Sequence, residues 1–244
     1  MKNTRKLFCT ILAVALLILS LMPAYAAVSV KADSNKIYLD STGGSYGWGY
    51  ININGINANS KITDIKSSNT KILRPSSLNK WSSSYKDFEN DENSSADNNA
   101  SISVRGLKKG KADITFKVDG KSYKQSFEVL NYVNPVKSFQ LTGVGSTNLK
   151  SKFAKGSYVD AKLKSNSKAG YVKVSAASGW KIRSVEWSDQ SDNYSSHYFY
   201  SEKGVSSAKV IAPAMKKSGK YSIWVNCINA KNGARLNLTY HLGN

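Results

Sequence analysis

The chain has 244 residues, with 35 Lys+Arg against 16 Asp+Glu and a formal net charge of +19. This length suits one or two ordinary domains. Hydrophobic residues make up 41% of the chain and aromatic residues 11%, which is enough to build packed cores and excludes a disordered tail. With only 4 Pro and 17 Gly, the collagen-like and proline-rich classes are excluded as well.

The N-terminus has the layout of a secretory signal peptide. A basic segment, residues 2–6, precedes an almost wholly apolar run over residues 7–22. The segment Ala24-Tyr25-Ala26 then places small residues at the two positions that a signal peptidase reads. We therefore expect residues 1–26 to be removed and the mature chain to be secreted, extracellular or cell-wall associated, without a transmembrane segment.

The mature chain contains a single cysteine, Cys227. A lone cysteine cannot form an internal disulfide, so the chain is not a disulfide-stapled extracellular domain. Cys227 shares its period-two phase with Ile223 and Val225, which predicts that its thiol points into a core. Stability must therefore come from packed apolar side chains.

A short connector, residues 131–135, divides the mature chain into two halves of different charge. Residues 28–131 carry 15 Lys+Arg and 11 Asp+Glu, whereas residues 132–244 carry 17 and 5. Pro135 cannot donate to a strand ladder and favours a domain break. We predict domains over 28–131 and 135–244, joined by an exposed connector, with the second domain strongly basic.

Period-two alternation dominates the mature chain and predicts strands rather than helices. Each half ends in a hairpin, with turns at Asp119-Gly120 and Asn232-Gly233. Short, turn-bounded strands with one apolar face in units of about 100 residues are typical of sandwiches. We predict an all-β fold of two tandem Ig-like antiparallel β-sandwiches. Tyr46, Trp48 and Tyr50 share one phase and Ile51 and Ile53 the other, which predicts a bulge or a strand buried on both faces.

Two segments of the first half resemble bacterial Ig-like domains of group 2. Residues 66–73, KSSNTKIL, are similar to that family's S-S-N strand, and residues 104–115, VRGLKKGKADIT, to its G-L-K-x-G-x-A-x-I-T run. The resemblance covers roughly residues 33–130 and implies a surface module of bacterial exoproteins, without catalytic residues. In the second half, residues 217–223 are similar to a generic Ig-like strand that begins with a tyrosine corner.

The first half departs from this family in the segment 81–100, which looks like an insertion. Its acidic residues, among them Asp87, Glu89 and Asp91, offer oxygen ligands for calcium. The spacing does not match an EF-hand loop, so a solvated polar loop is the favoured interpretation. We predict no other metal site.

The residue pattern gives little support for a catalytic activity. The mature chain has two histidines, His197 and His241, besides Cys227, and no nucleophile or phosphate-binding motif surrounds them. We therefore expect a protein that is not an enzyme and needs no cofactor. A small secreted hydrolase of unrecognised type is the alternative.

Two kinds of side chain are candidates for binding. Tyr198, Tyr200 and Trp187 form an aromatic set that could stack on sugars or on a partner protein, or could simply pack one sandwich face. Lys162, Lys164 and Lys173 alternate with apolar neighbours and should face solvent. Lysine suits loose contact with a polyanion, whereas base-specific readout of nucleic acid would favour arginine.

These features predict a bacterial surface protein that binds through its basic second domain. The expected partner is an anionic wall polymer, a glycan or a surface protein, and no specific nucleic acid. The alternative is an accessory carbohydrate- or wall-binding module, or a pure structural spacer, that serves a separate enzyme or assembly.

The exported protein should begin at Ala27, because the small residues before it complete the signal-peptidase site. N-terminal sequencing of the secreted product checks this. An intact Met1 on a membrane-bound product would contradict it, and a start at Asp33 would indicate a cut after Ala32 instead.

Overall fold

The computed structural model describes residues 27–44, 46–82, 98–144, 148–190 and 195–243, apart from the side chains of 81, 82 and 98. The predicted signal peptide, residues 1–26, lies outside these ranges. No helix within them is long and apolar enough to cross a membrane.

Eight strands belong to the first half of the chain. They are β1 (Ser29–Ala32), β2 (Lys36–Tyr38), β3 (Gly47–Ile56), β4 (Ile62–Ser67), β5 (Leu73–Ser82), β6 (Asn98–Gly106), β7 (Gly110–Val118) and β8 (Lys121–Leu130). They form two four-stranded sheets, with strand orders β1-β3-β6-β5 and β2-β8-β7-β4.

Eight further strands and two short 3-10 helices make up the second half. The strands are β9 (Val136–Leu141), β10 (Tyr158–Ala161), β11 (Gly170–Ala176), β12 (Trp180–Asp189), β13 (Ser195–Val205), β14 (Ser207–Ala212), β15 (Tyr221–Asn229) and β16 (Arg235–Leu242). The helices are Thr142–Val144 and Leu149–Phe153. The sheets have strand orders β10-β16-β15-β12-β13 and β14-β11-β9.

The apolar side chains form two separate cores, one between the sheets of each half. The first core draws its buried residues from positions 32–129 and the second from positions 132–242. Burying one face of each sheet against another is what stabilises such layers. The predicted all-β fold of two sandwiches is confirmed, while the domain boundaries stay a prediction.

Both predicted hairpin turns are present. Asp119 and Gly120 have φ angles of 50° and 83° between β7 and β8, the positive values that a two-residue turn requires. Gly233 has a φ of 72° between β15 and β16, and its N–H donates to the carbonyl of Asn229 at 2.9 Å. Local turn chemistry thus sets the register of the final hairpin in each half.

The pairing is not antiparallel throughout. β2 runs parallel to β8, and β10 runs parallel to β16. In each half a short strand thus adds alongside the last strand of the final hairpin. The sequence pattern carries no signal for this, because alternation is the same in parallel and antiparallel strands of this length.

The predicted phase change in β3 does not occur. Gly47 and Gly49 occupy the inner face together with Ile51, and the aromatic residues between them face outward. A Cβ atom on Gly49 would lie 2.7 Å from the Cδ1 atom of Ile37, so the glycines make room for β2. The irregularity in this strand lies later, between Ile53 and Ile56.

Backbone pairing joins the two halves. Residues 40–42 lie beside residues 155–157, and an antiparallel bridge connects Ser41 with Gly156. Two N–H···O bonds of 2.8 and 2.9 Å flank this bridge. We call this pairing, with the side-chain contacts next to it, the junction.

Side chains extend the junction on both sides of that bridge. The ring of Tyr38 packs on that of Trp180 in the second core, with centroids 5.2 Å apart. The Ser34 hydroxyl donates to the carbonyl of Asn232 at 3.0 Å, in the turn between β15 and β16. The first half therefore contacts one end of the second sandwich.

The connector at residues 131–135, which we expected to be exposed, is exposed only in part: Asn131 and Val133 face solvent, but other residues of it do not. Tyr132 is buried, and its hydroxyl lies 2.7 Å from the carbonyl oxygen of Phe153 and 3.0 Å from that of Gly156. Pro135 is buried as well. These two residues of the connector thus belong to the packed junction.

Replacing Tyr132 by Phe should lower the free energy of unfolding by about 1 kcal/mol, because buried carbonyl groups lose their hydrogen-bond donor. Urea denaturation of residues 27–244 measures this. The matched control is Tyr171→Phe, on an exposed tyrosine of β11, which should change stability far less. Equal effects of the two changes would contradict the structural role of the Tyr132 hydroxyl.

Candidate functional site

The aromatic pair on β13 faces solvent. Tyr198 and Tyr200 are 60% and 52% exposed, and their rings stack with centroids 6.3 Å apart and planes 10° apart. The Arg183 side chain donates to the hydroxyl of Tyr200 at 2.8 Å. β13 is an edge strand of the five-stranded sheet, so this pair lies at a margin of the molecule.

Trp187 does not belong to that surface. Its side chain is only 1% exposed and points from β12 into the second core, where it stacks on Tyr221 with centroids 5.8 Å apart. Val185 shares this inward phase. The prediction that placed Trp187 among the binding residues is corrected accordingly, because alternation along β12 buries this ring.

The three predicted lysines are exposed, as expected, but lie on two parts of the surface. Lys173 is on the outer face of β11, directly opposite Lys209 of β14. Lys162 and Lys164 lie in the segment between β10 and β11. Sequence alternation predicted their exposure but not this division.

Lys162 and Lys164 belong to a larger group that we call the basic pole. Its members are exposed lysines of two segments, 162–169 and 213–220, neither of which contains Asp or Glu. They are Lys162, Lys164, Lys168, Lys216, Lys217 and Lys220.

Hydrogen bonds lock the two segments of the basic pole together. The Ser167 N–H donates to the carbonyl of Met215 at 2.8 Å, and the Met215 N–H donates to the Ser167 hydroxyl at 2.9 Å. The Lys217 N–H donates to Asn166 Oδ1 at 2.8 Å. The lysines therefore project from a fixed backbone.

The basic pole lies at the end of the second sandwich that faces away from the junction. Strand β15 begins at Tyr221, beside the pole, and ends at Asn229, beside the turn that contacts the first half. Its nine residues span about 30 Å at the usual rise per residue. The positive charge thus lies at the end of the second sandwich opposite the turn that contacts the first half.

The calcium candidates Asp87, Glu89 and Asp91 lie outside the described residues. Within the described part of the chain, no group of three His, Cys, Asp or Glu side chains is arranged to hold a metal ion. The acidic segment therefore stays a sequence-based hypothesis.

The candidate nucleophiles, Cys227 and Ser222, are buried, whereas His197 and His241 are partly exposed. Cys227 lies in the second core as predicted, and burial raises the pKa of its thiol to about 12. Ser222 Oγ lies 2.6 Å from His241 Nδ1, and Asp160 is the register partner of His241 on β10. Ser222 is fully buried, so its hydroxyl cannot reach a substrate, and the contact with His241 satisfies a buried polar group.

A cleft of about 920 Å³ opens at the junction, and sequence reasoning did not find it. Side chains from both halves line it. The aromatic, cationic and amide side chains of this lining are the ones suited to binding a ligand. They are Trp48, Tyr50, Lys152, Lys155, Tyr158, Asn226, Arg235 and Asn237. We call it the junction cleft.

The sequence contains a pattern that predicts the exposure of Trp48 and Tyr50, which form the aromatic wall of this cleft. Gly47 and Gly49 alternate with Trp48 and Tyr50, so a reading with glycines inward would have placed both rings at the surface. The apolar phase instead predicted a bulge or a strand buried on both faces. Which other residues face them could not be read from the pattern, because the opposite wall is more than 100 residues away in sequence.

Asp40 lines the junction cleft and is the one carboxylate among its described lining residues. Burial raises the pKa of Asp40 to about 6. Its backbone carbonyl accepts the Ser157 N–H, which holds the residue at the junction. At neutral pH this carboxylate is ionised, although its partial burial disfavours the charged form.

No protein-family model matches the chain, and no curated protein matches it. The likeness of residues 33–130 to group 2 bacterial Ig-like domains therefore stays a resemblance.

Several solved structures are similar at low identity. Domains 5–6 of the S-layer protein SbsC share 13% identity, with 89% of this chain and 98% of that chain covered and a TM-score of 0.30. The Yersinia pseudotuberculosis adhesin InvE shares 10%, covering 88% and 58%, with a TM-score of 0.26. Invasin, a bacterial integrin-binding protein, shares 11%, covering 88% and 40%, with a TM-score of 0.29. At these values the likenesses carry no argument about what this chain binds.

Asp40→Asn should stabilise the protein at pH 8 and leave stability unchanged near pH 3.8. The raised pKa means that protonated Asp40 contributes its full stability below 3.8 and that this contribution is lost as pH rises through about 6. The expected gain at pH 8 is on the order of 1 kcal/mol, after allowance for partial solvent screening.

Urea denaturation of wild type and variant at several pH values measures the effect of this change. Asp160→Asn, on an exposed carboxylate, serves as the control. A gain at pH 8 no larger than the control's would contradict the assigned burial of Asp40.

Proposed function

We propose that this chain is a secreted, non-enzymatic bacterial surface protein that binds an anionic wall polymer or glycan through its basic pole. The first sandwich acts as a spacer or scaffold that carries the second. The observation that supports this most is the pole itself: two hydrogen-bonded segments with six exposed lysines and no acidic residue.

The electrostatics favour a polymer over a small anion. Lysines on neighbouring segments repel one another, and this repulsion is relieved when a line of negative charges passes between them. Each ammonium group is a compact, strongly hydrated charge that contacts phosphate or sulfate without fixed geometry. A repeating polyanion matches such a surface better than one bidentate ligand.

The stacked pair on β13 favours a second candidate, an accessory carbohydrate-binding role. Tyr198 and Tyr200 offer two exposed rings with nearly parallel planes, on which a neutral sugar could stack. This candidate differs from the first in its response to salt, since ring stacking is not screened by ions.

The double change Lys164→Glu and Lys216→Glu should weaken binding to teichoic acid and to heparin by at least about tenfold at 0.1 M salt. Both lysines project from the segments that form the pole, so their reversal breaks its continuous positive field. Wild-type binding should also fall steeply between 0.1 M and 1 M salt, where the Debye length shrinks from about 10 Å to about 3 Å. Biolayer interferometry on immobilised polymer measures both.

The matched control is Lys108→Glu with Lys109→Glu, which makes the same change in net charge on an exposed turn of the first half. Equal losses of polymer affinity in the two double variants would show that only net charge matters and that the basic pole is not the binding site. Binding that ignores salt but disappears in Tyr198→Ala would favour the accessory carbohydrate-binding role.

A further inference from the structure

The walls of the junction cleft are the outer faces of two sheets, one from each half. Trp48 and Tyr50 stand on the outer face of β3 and are 43% and 41% exposed. Tyr158, on β10 of the second half, also lines the cleft and is 59% exposed. Single exposed aromatic rings are common, but three that line one concave site form a surface on which an apolar ring face can stack.

The Trp48 ring in the aromatic wall is held in position before any ligand binds. The guanidinium group of Arg105, on the neighbouring strand β6, lies 4.7 Å from the centroid of the Trp48 ring. Such cation–π contact restricts the ring, which lowers the entropy that binding would otherwise cost.

The floor of the cleft is polar. Asn226 of β15 and Asn237 of β16 are register partners, and Thr239 lies two residues further along β16. Asn226 Oδ1 is buried and has no hydrogen-bond partner among the described residues. An amide offers both donors and an acceptor, which is the combination that sugar hydroxyl groups require.

The cationic side chains of the cleft favour acidic sugars over neutral ones. Among the described residues that line the cleft, three are cationic, Lys152, Lys155 and Arg235, and one, Asp40, is a carboxylate. Arg235 lies 3.6 Å from Asp33 at the edge of the junction, and the two lysines are exposed. The surplus of positive charge complements a ligand that bears carboxylate groups.

Most of the cleft lining does not favour an extended peptide as the occupant. A peptide strand binds by pairing with a free sheet edge, and β3, β15 and β16 are internal strands that present only their faces here, while β2 and β10 are edge strands of their sheets. The cleft volume of about 920 Å³ also falls within the range of small-ligand sites.

We propose that the junction cleft is a second binding site, separate from the basic pole, for an acidic oligosaccharide of a few sugar units. The sugar rings stack between the aromatic side chains of the two halves, the asparagines on the floor bond the hydroxyl groups, and the cations at the rim hold the carboxylates. The site exists only while the junction holds the two sheet faces together.

The test is a printed array of uronic-acid and sialic-acid oligosaccharides, each beside its neutral counterpart, followed by calorimetry on the strongest binder with residues 27–244. Trp48→Ala and Tyr158→Ala should each weaken binding by about tenfold. Because these two rings are exposed and come from different halves, a loss in both variants with unchanged thermal unfolding indicates a shared site.

Three controls separate the possible outcomes. Tyr171→Ala removes an exposed ring outside the cleft and should leave binding intact. Lys164→Glu with Lys216→Glu should weaken polymer binding at the pole by at least about tenfold while the oligosaccharide still binds, so failure of one site is distinguishable from failure of the other. Oligoglutamate of matched charge should bind far more weakly than the acidic sugar.

Several results would overturn the proposal. These are the absence of binding by any acidic oligosaccharide on the array, equal binding of the neutral counterparts, equal binding of oligoglutamate, or wild-type affinity in both ring variants. An unchanged affinity in one ring variant alone would also overturn it, because the proposed ligand contacts both walls.

Discussion

The junction is the constraint on which the functional surfaces depend. Backbone pairing of residues 40–42 with 155–157 places the outer face of β3 against that of β10 and β16. Tyr38 adds an aromatic contact with Trp180 and so ties the first half to the second core. The same contacts occupy one end of the second sandwich, which leaves the basic pole as the other, open end.

The interior of the first sandwich explains why its aromatic residues lie outside. Ile37 enters the space left by Gly47, Gly49 and Gly106, where any Cβ atom would come within 3.0 Å of an Ile37 atom. Large rings cannot occupy that face of β3, so Trp48 takes the outer face. Close packing on the inner face of β3 therefore causes the exposure of its aromatic rings on the outer face, in the cleft.

The excess of lysine is distributed in a way that limits its cost. Like charges directly across a sheet destabilise it, and Lys173 faces Lys209 in this manner. The Lys209 ammonium lies 3.6 Å from the centroid of the Tyr171 ring, which offsets part of that repulsion. The basic pole instead sits in connecting segments, where side chains can spread into solvent until a polyanion approaches.

Several features follow from the sequence alone, because they are local. Alternation predicted the strands, the Asp119-Gly120 and Asn232-Gly233 pairs predicted the hairpins, and phase predicted the burial of Cys227 and the exposure of Lys162. The tertiary structure alone decided the parallel pairings, the inward position of Trp187, the burial of Tyr132 and Pro135 in the connector, and the junction cleft. A period of two assigns residues to two faces, but it does not say which face is buried or which distant strand packs there. Those choices are made by packing between segments far apart in the chain.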